Sequence, residues 1–288
     1  MTTEFKGKVI AITGAGKGLG RAYALFFASR GARIIVNNRS HEGEAQSSAD
    51  RVVDEIISAG GEAIAEYSSV EVVGVGGTIL DLALKNFGRL DSLIANAGVT
   101  ENTTFRKQSL AELKLNIDIN LMGTLNTVHP IFRYMCEKRN GSIIVTVSSA
   151  GLFGQMGLPA YSTSKAAVLG LMRSLSLEGS SRNVTVNAVS PYAATQMIDG
   201  HVTDEAFERF SPNHVTPVVE WLMTGVVSGE TLIVGGGGVA RVKMKTTQTL
   251  IASRFDDRDW QELTSSDMNL EFDSGYDNYE KFFASLDS

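Results

Sequence analysis

Seven short runs of apolar, often β-branched residues recur between longer stretches of helical periodicity, and this alternation leaves few folds open to the chain. The runs cover 9–12, 33–36, 63–65, 92–95, 143–147, 184–186 and 231–234. Apolar on both faces, they suit strands of a parallel sheet buried between two layers of helices. Helical periodicity occupies 19–29, 43–59, 71–87, 110–138, 161–179 and 204–224. The repeated β-α order predicts an α/β fold: one doubly wound domain around a seven-stranded, mostly parallel sheet. Within 71–87, Gly74, Gly76 and Gly77 each cost about 1 kcal/mol against alanine, so that helix is expected to fray. Pro130 predicts a bend in the helix that passes Asn120.

With 288 residues, 43% of them hydrophobic, the chain can bury one substantial core. Residues 1–238 are expected to form the doubly wound domain, and 239–288 an extension. The extension opens on the basic Arg241-Val242-Lys243-Met244-Lys245 and continues acidic, with Phe255, Trp260, Phe272, Tyr276, Tyr279, Phe282 and Phe283. Those rings need cover, so the extension is expected to pack on the domain or on a partner subunit; a largely disordered tail is the alternative. A net charge of −6 without a stripe of Lys and Arg argues against nucleic acid. Cys136 has no disulfide partner, and His41, His129, His201 and His214 lack ligand spacing, so no metal site is expected. The N-terminus carries no apolar signal core, no run of eighteen apolar residues occurs, and Ser285-Leu286-Asp287-Ser288 does not end in a peroxisomal tripeptide. A cytoplasmic location without a membrane span is expected.

Chemistry enters with Ser148, Tyr161 and Lys165. Tyr161 and Lys165 stand four apart in Tyr-Ser-Thr-Ser-Lys, ahead of a helix-forming run, so both project from one helix face, about 6 Å apart along the axis. An isolated phenol titrates near about 10. A neighbouring ammonium favours phenolate and lowers that value, which makes a tyrosine usable as acid and base. The pair alone equally describes a surface helix. Ser148 changes the weighing, because it follows the strand-like 142–147, and strand ends are where α/β folds place ligands.

After the first strand, Thr13-Gly14-Ala15-Gly16-Lys17-Gly18-Leu19-Gly20 opens a helix. Its glycines let backbone N–H groups and the positive helix end approach a pyrophosphate. Lys17 is followed by Gly18, so a triphosphate loop with its magnesium-holding hydroxyl is excluded. After the second strand, where an NAD site usually carries a carboxylate, stand Asn37-Asn38-Arg39. Arg39 and Lys17 suit a 2′-phosphate, so NADP(H) is preferred, with NAD(H) still usable.

These residues, with Asn96-Ala97-Gly98, Asn120-Leu121-Met122-Gly123, and Asn187 before Ser190-Pro191, resemble the short-chain dehydrogenase/reductase family over about residues 6–240. Gly20-Arg21-Ala22-Tyr23-Ala24-Leu25, Ser149-Ala150-Gly151-Leu152-Phe153-Gly154 and Pro191-Tyr192-Ala193-Ala194-Thr195-Gln196-Met197 are similar to the branch holding the dehydrogenase portion of peroxisomal multifunctional β-oxidation enzymes, which also oxidises 17β-hydroxysteroids. The resemblance implies a Rossmann fold and a homodimer or homotetramer. It also implies cofactor contacts from Ser68, Ser69, Val70, Asn96, Ala97, Gly98, Pro191, Tyr192 and Ala194, beside the glycine turn, Tyr161 and Lys165. Ala95, Ser68, Tyr192 and the pair Asn38-Arg39 depart from the family pattern.

By the same resemblance, Tyr161 exchanges the proton at a carbonyl or alcohol oxygen, Ser148 donates to that oxygen, Lys165 lowers the proton affinity of Tyr161, and Asn120 holds a water beside Lys165. Leu152, Phe153, Met156, Leu158, Tyr192, Met197 and Ile198 are expected to line, with Ser148 and Tyr161, a pocket for an extended hydrophobic substrate. A hydroxysteroid is the first choice and a 3-hydroxyacyl thioester the second. A nucleotide-sensing protein without turnover is the alternative of another class, and the intact Ser148, Tyr161, Lys165 and Asn120 set argues against it.

Overall fold

The computed structural model describes residues 5–40, 43–193, 209–251 and 257–286. The chain divides into two compact units, Met1–Ala240 and Arg241–Ser288. The first unit alternates β1 (Val9–Thr13), α1 (Gly18–Ser29), β2 (Arg33–Asn37), α2 (Ser48–Ser58), β3 (Glu62–Glu66), α3 (Val75–Phe87) and β4 (Ser92–Ala95). It continues with α4 (Leu110–Ile117), a π-helical turn (Asp118–Met122), α5 (Gly123–Lys138), β5 (Gly141–Thr146), α6 (Ser149–Phe153), α7 (Pro159–Ser180) and β6 (Val184–Pro191). After residue 208 come a 3-10 turn (Pro212–His214), α8 (Thr216–Leu222), β7 (Thr231–Gly235) and β8 (Gly238–Arg241).

The sheet runs β3-β2-β1-β4-β5-β6-β7-β8, with β1 to β7 paired parallel. Chain order reverses between β1 and β4, which opens a crevice at the carboxyl ends of those strands. Alternate strand residues feed two cores. Ile10, Ile12, Ile34, Val36, Ile144 and Val189 face Tyr23 and Phe27 of α1, Val52 and Ile56 of α2, and Val219 and Leu222 of α8. Val9, Ala11, Ile35, Leu93, Ile143 and Val145 face Ile79 of α3, Ile131 and Met135 of α5, and Val168 and Met172 of α7. Each such side chain, when fully buried, contributes about 2 kcal/mol.

The expected seven strands are present, and an eighth is added. Gly236 and Gly237, at φ 57° and 80°, supply the two left-handed positions of a tight hairpin turn, and β8 follows. Its residues are all exposed, so no apolar run announces it.

Two helices differ in detail from the expectation. The third begins at Val75, after the first of its three glycines. Gly74, at φ 96°, stands at its N-cap, and a Cβ on Gly76 would stand 2.6 Å from the Asn126 carbonyl oxygen and 2.7 Å from Pro130 Cγ. Gly76 therefore lets α3 approach α5 closely. The departure from α-helical geometry lies at the π turn over 118–122, while α5 runs through Pro130 to Lys138. Proline removes the hydrogen bond to the Asn126 carbonyl, and that carbonyl lies against Gly76.

The second unit contains α9 (Asp257–Ser265) and α10 (Gly275–Leu286), with a single antiparallel bridge between Thr246 and Leu270. Tyr279 meets Phe283 in a tilted contact at 4.4 Å and lies near parallel to Tyr276 at 6.4 Å. Trp260, Tyr276, Tyr279, Phe282 and Phe283 are exposed, and Phe255 lies outside the described residues. Among the described residues, no helix is long and apolar enough to cross a membrane, and no group of three or more His, Cys, Asp or Glu is placed to hold a metal.

Candidate active site

The glycine turn is shaped by exclusion. Gly14 (φ 65°) and Gly18 (φ 52°) occupy left-handed backbone. A Cβ on Gly14 would stand 2.9 Å from Ala97 Cα, and one on Gly20 would overlap the Gly14 carbonyl oxygen. No side chain caps α1 and its first turn holds no acid, so free N–H groups and the positive helix end face the cavity there. Thr13 ties this turn to the next strand: its Oγ1 accepts from Asn96 N (3.0 Å) and Ala97 N (3.1 Å), and Asn96 Nδ2 donates to its carbonyl (3.1 Å). A cradle without side chains at an uncapped helix N-terminus fits a pyrophosphate.

A cavity of about 450 Å³ runs from this cradle past Asn96, Ala97 and Gly98 to Ser148, Tyr161, Lys165, Pro191 and Tyr192. Ser148 stands where β5 gives way to α6, and its Oγ accepts from Ala150 N at 3.2 Å. Gly151 lets α6 lie on α7, since a Cβ there would meet the Lys165 backbone at 2.7 Å. Tyr161 and Lys165 lie in the first two turns of α7. Lys165 is 3% exposed; its Nζ donates to the Thr146 carbonyl at 2.8 Å and lies 5.7 Å from the Tyr161 ring centroid.

Burial dominates the electrostatics of the pair. It lowers the Lys165 pKa to about 8 and raises that of Tyr161 above its ordinary value, with a hydrogen bond from Ser148 working in the opposite direction. The expectation that Lys165 pulls the phenol down is therefore not met in the protein alone. The ammonium is itself desolvated and turned to a backbone carbonyl.

Asn120 is fully buried in the π turn. Its Nδ2 donates to Val99 O (2.9 Å) and Asn116 Oδ1 (2.8 Å), and its Oδ1 accepts from Val99 N (3.0 Å). The amide is committed to the loop after β4, whose Gly98 lies against both Asn120 Oδ1 and Lys165 Nζ. Its side chain braces the wall beside Lys165.

Of the other expected cofactor residues, Lys17, Gly18, Leu19 and Asn38 line the cavity. Asn38 Nδ2 donates to Ser48 Oγ at 2.8 Å, behind Gly16, which has no room for a side chain. Arg39 is exposed and does not line the cavity. Nor do Ser68, Ser69 and Val70: Ser68 N donates to Glu66 Oε1 (3.0 Å), Ser69 Oγ donates to Glu71 (2.7 Å), and Val70 packs on Gly123. Ala194 lies outside the described residues.

The expected substrate wall is brought together only in part. Leu158 and Tyr192 line the cavity. Phe153 and Met156 are 72% and 92% exposed, and Leu152 packs on the α7-side core. Met197 and Ile198 lie outside the described residues. Thr100 and Gln155 take part instead. Gly154 and Gly157, at φ 74° and 84°, redirect this loop, and that glycine spacing is the sequence signal that marks it.

A dinucleotide cradle joined to a Ser-Tyr-Lys cavity defines the site of a dehydrogenase. The family model for short chain dehydrogenases matches residues 8–206, and the chain belongs to that oxidoreductase family, which uses NAD(H) or NADP(H). It is 38% identical over 251 residues to peroxisomal multifunctional enzyme A of Dictyostelium discoideum, covering 85% of this chain and 56% of that protein. The chain thus spans little more than half the length of that relative. It is 34% identical over 249 residues to a 3-oxoacyl-[acyl-carrier-protein] reductase of Synechocystis sp., covering 82% of this chain and 99% of the reductase. The crystal structure of a short chain dehydrogenase from Mycobacterium avium superposes with a TM-score of 0.81 at 32% identity, over 93% of this chain and 97% of that one.

Proposed function

We propose that the protein interconverts 3-oxoacyl and 3-hydroxyacyl thioesters with a nicotinamide dinucleotide, preferring NADP(H). The observation that carries this reading is the joining of the dinucleotide cradle to Ser148, Tyr161 and Lys165 in one cavity, in a chain similar over 82% of its own length to 99% of a 3-oxoacyl-[acyl-carrier-protein] reductase. When bound, the nicotinamide supplies or accepts the hydride. In reduction, Tyr161 gives its phenolic proton to the C3 oxygen and Ser148 donates a hydrogen bond to the same oxygen; oxidation reverses both. Losing one such donor commonly costs about 100-fold or more. Lys165 carries positive charge below its pKa of about 8 and stabilises the phenolate that proton loss leaves.

A hydroxysteroid fits less well, because Phe153 and Met156, the large apolar residues expected in the wall, face solvent. NADP(H) preference is supported by Lys17 in the cavity, by Asn38 where NAD sites carry a carboxylate, and by the adjacent Arg39. Residues 1–238 are the catalytic domain in this reading and 239–288 an extension. A homodimer or homotetramer pairs α5 and α7, where exposed Gly170 has open space beside it. The cytoplasmic expectation rests on sequence features, while the Dictyostelium relative is named as peroxisomal.

The test is reduction of 3-oxoacyl N-acetylcysteamine thioesters and of steroid ketones, followed by NADPH absorbance. Turnover of the thioesters with weak or no steroid reduction is expected. Steroid turnover with inert thioesters would overturn the reading.

A further inference from the structure

In the loop between Ser148 and Tyr161, Phe153, Gln155 and Met156 are all exposed, and of the three only the polar Gln155 lines the cavity with Ser148, Tyr161 and Leu158. Gly154 and Gly157, both at positive φ, shape the loop on either side of it, since other residues adopt that backbone at a cost. The loop is held in this form. Thr103 N donates to Gly157 O at 2.8 Å, Leu158 N donates to Gln155 O at 3.2 Å, and a side chain at Gly157 would overlap Asn102 Oδ1. The Gln155 amide offers two N–H donors and an acceptor, and it has no side-chain partner among the described residues. Covering such an amide with a ligand that leaves it unpaired is unfavourable. A matching ligand brings a polar atom to it.

We propose that Gln155 is a specificity-determining residue: its amide N–H donates to the thioester carbonyl oxygen at C1 while Ser148 and Tyr161 hold the oxygen at C3. The inference rests on the thioester reading. A cavity lined by both the reacting groups and this amide is matched to a substrate with oxygens on C1 and C3. A monoketone gives Gln155 nothing to bind. Coenzyme A and acyl carrier protein present the same thioester, so this contact does not distinguish them.

The test uses the full chain and its Gln155→Leu and Gln155→Asn variants, with unfolding midpoints as a control for folding. Kinetics are measured with 3-oxohexanoyl N-acetylcysteamine thioester and with 3-hexanone. Inhibition is measured with hexanoyl N-acetylcysteamine thioester, which keeps the C1 carbonyl and has nothing to reduce. Gln155→Leu is expected to lose about tenfold or more in kcat/KM on the oxo-thioester, to weaken hexanoyl inhibition by a similar factor, and to leave 3-hexanone within about twofold. Gln155→Asn recovers part of the loss. Where 3-hexanone is not reduced by any form, the inhibition constants decide. A wild type active on the thioester with Gln155→Leu unchanged, or with equal losses on both ketones, overturns the role of Gln155 alone. A wild type that reduces 3-hexanone and ignores the thioester overturns the thioester reading, and Gln155 with it.

Discussion

Lys165 Nζ stands 5.7 Å from the centroid of the Tyr161 ring and gives its hydrogen bond to the Thr146 carbonyl at 2.8 Å, so in the protein alone the ammonium lies over the ring while bonded to the backbone. The pair is already placed as helix spacing requires. With the phenol raised by burial, Tyr161 is a neutral acid at pH 7. Tyr161→Phe is expected to lower turnover by at least about 100-fold while leaving NADPH affinity, read by fluorescence titration, within about threefold. Activity near wild type would remove Tyr161 from the chemistry.

Burial of Lys165 couples stability to pH in a stated direction. Its folded pKa, about 8 against the ordinary 10.5 of a lysine, means that between those values the unfolded chain holds the proton and the native state does not. Stability from this group therefore rises as pH climbs from about 8 to 10.5, by at most about 3 kcal/mol. Chemical denaturation should show the rise in wild type and its absence in Lys165→Met. Parallel pH profiles for the two would contradict it.

Arg39 is exposed beside Asn38, outside the cavity wall, so its effect should be confined to the cofactor's outer phosphate. Arg39→Leu is expected to reduce the NADPH-over-NADH ratio of kcat/KM by about 10- to 100-fold, the range of a charged hydrogen bond. Comparable losses with both cofactors would reject the assignment.

Gly76 separates local propensity from packing. Alanine there gains about 1 kcal/mol of helix propensity, yet its Cβ would stand 2.6 Å from the Asn126 carbonyl oxygen and against Pro130. Net destabilisation by about 1–3 kcal/mol is expected, seen as a lowered thermal midpoint. A Gly76→Ala protein more stable than wild type would show that α3 and α5 separate freely.

Much of the fold was legible because its carriers are local. Apolar runs marked seven strands, and Gly14, Gly18 and Gly20 marked the turn after β1, since both signals come from backbone and side-chain preferences over a few residues. Ser148, Tyr161 and Lys165 were legible for the same reason: one ends a strand, and two share a helix face. β8 was not, because an exposed hairpin strand needs no apolar pattern. The wall of the cavity was legible only in part, because apolar type does not say which face of a loop a residue takes: Leu158 and Tyr192 line it, while Phe153 and Met156 are exposed beside the positive-φ Gly154 and Gly157.

By itself, then, the sequence determined the strand-helix alternation, the side-chain-free cradle and the chemical types at the reaction centre, all set by interactions within a turn or two of chain. Only the tertiary structure decided that Gln155 and Thr100 enter the cavity, that Asn120 is committed to Val99 and Asn116, and that Lys165 is desolvated to a pKa of about 8. Those outcomes depend on which distant segments exclude water from one another, and burial and partner choice have no local code.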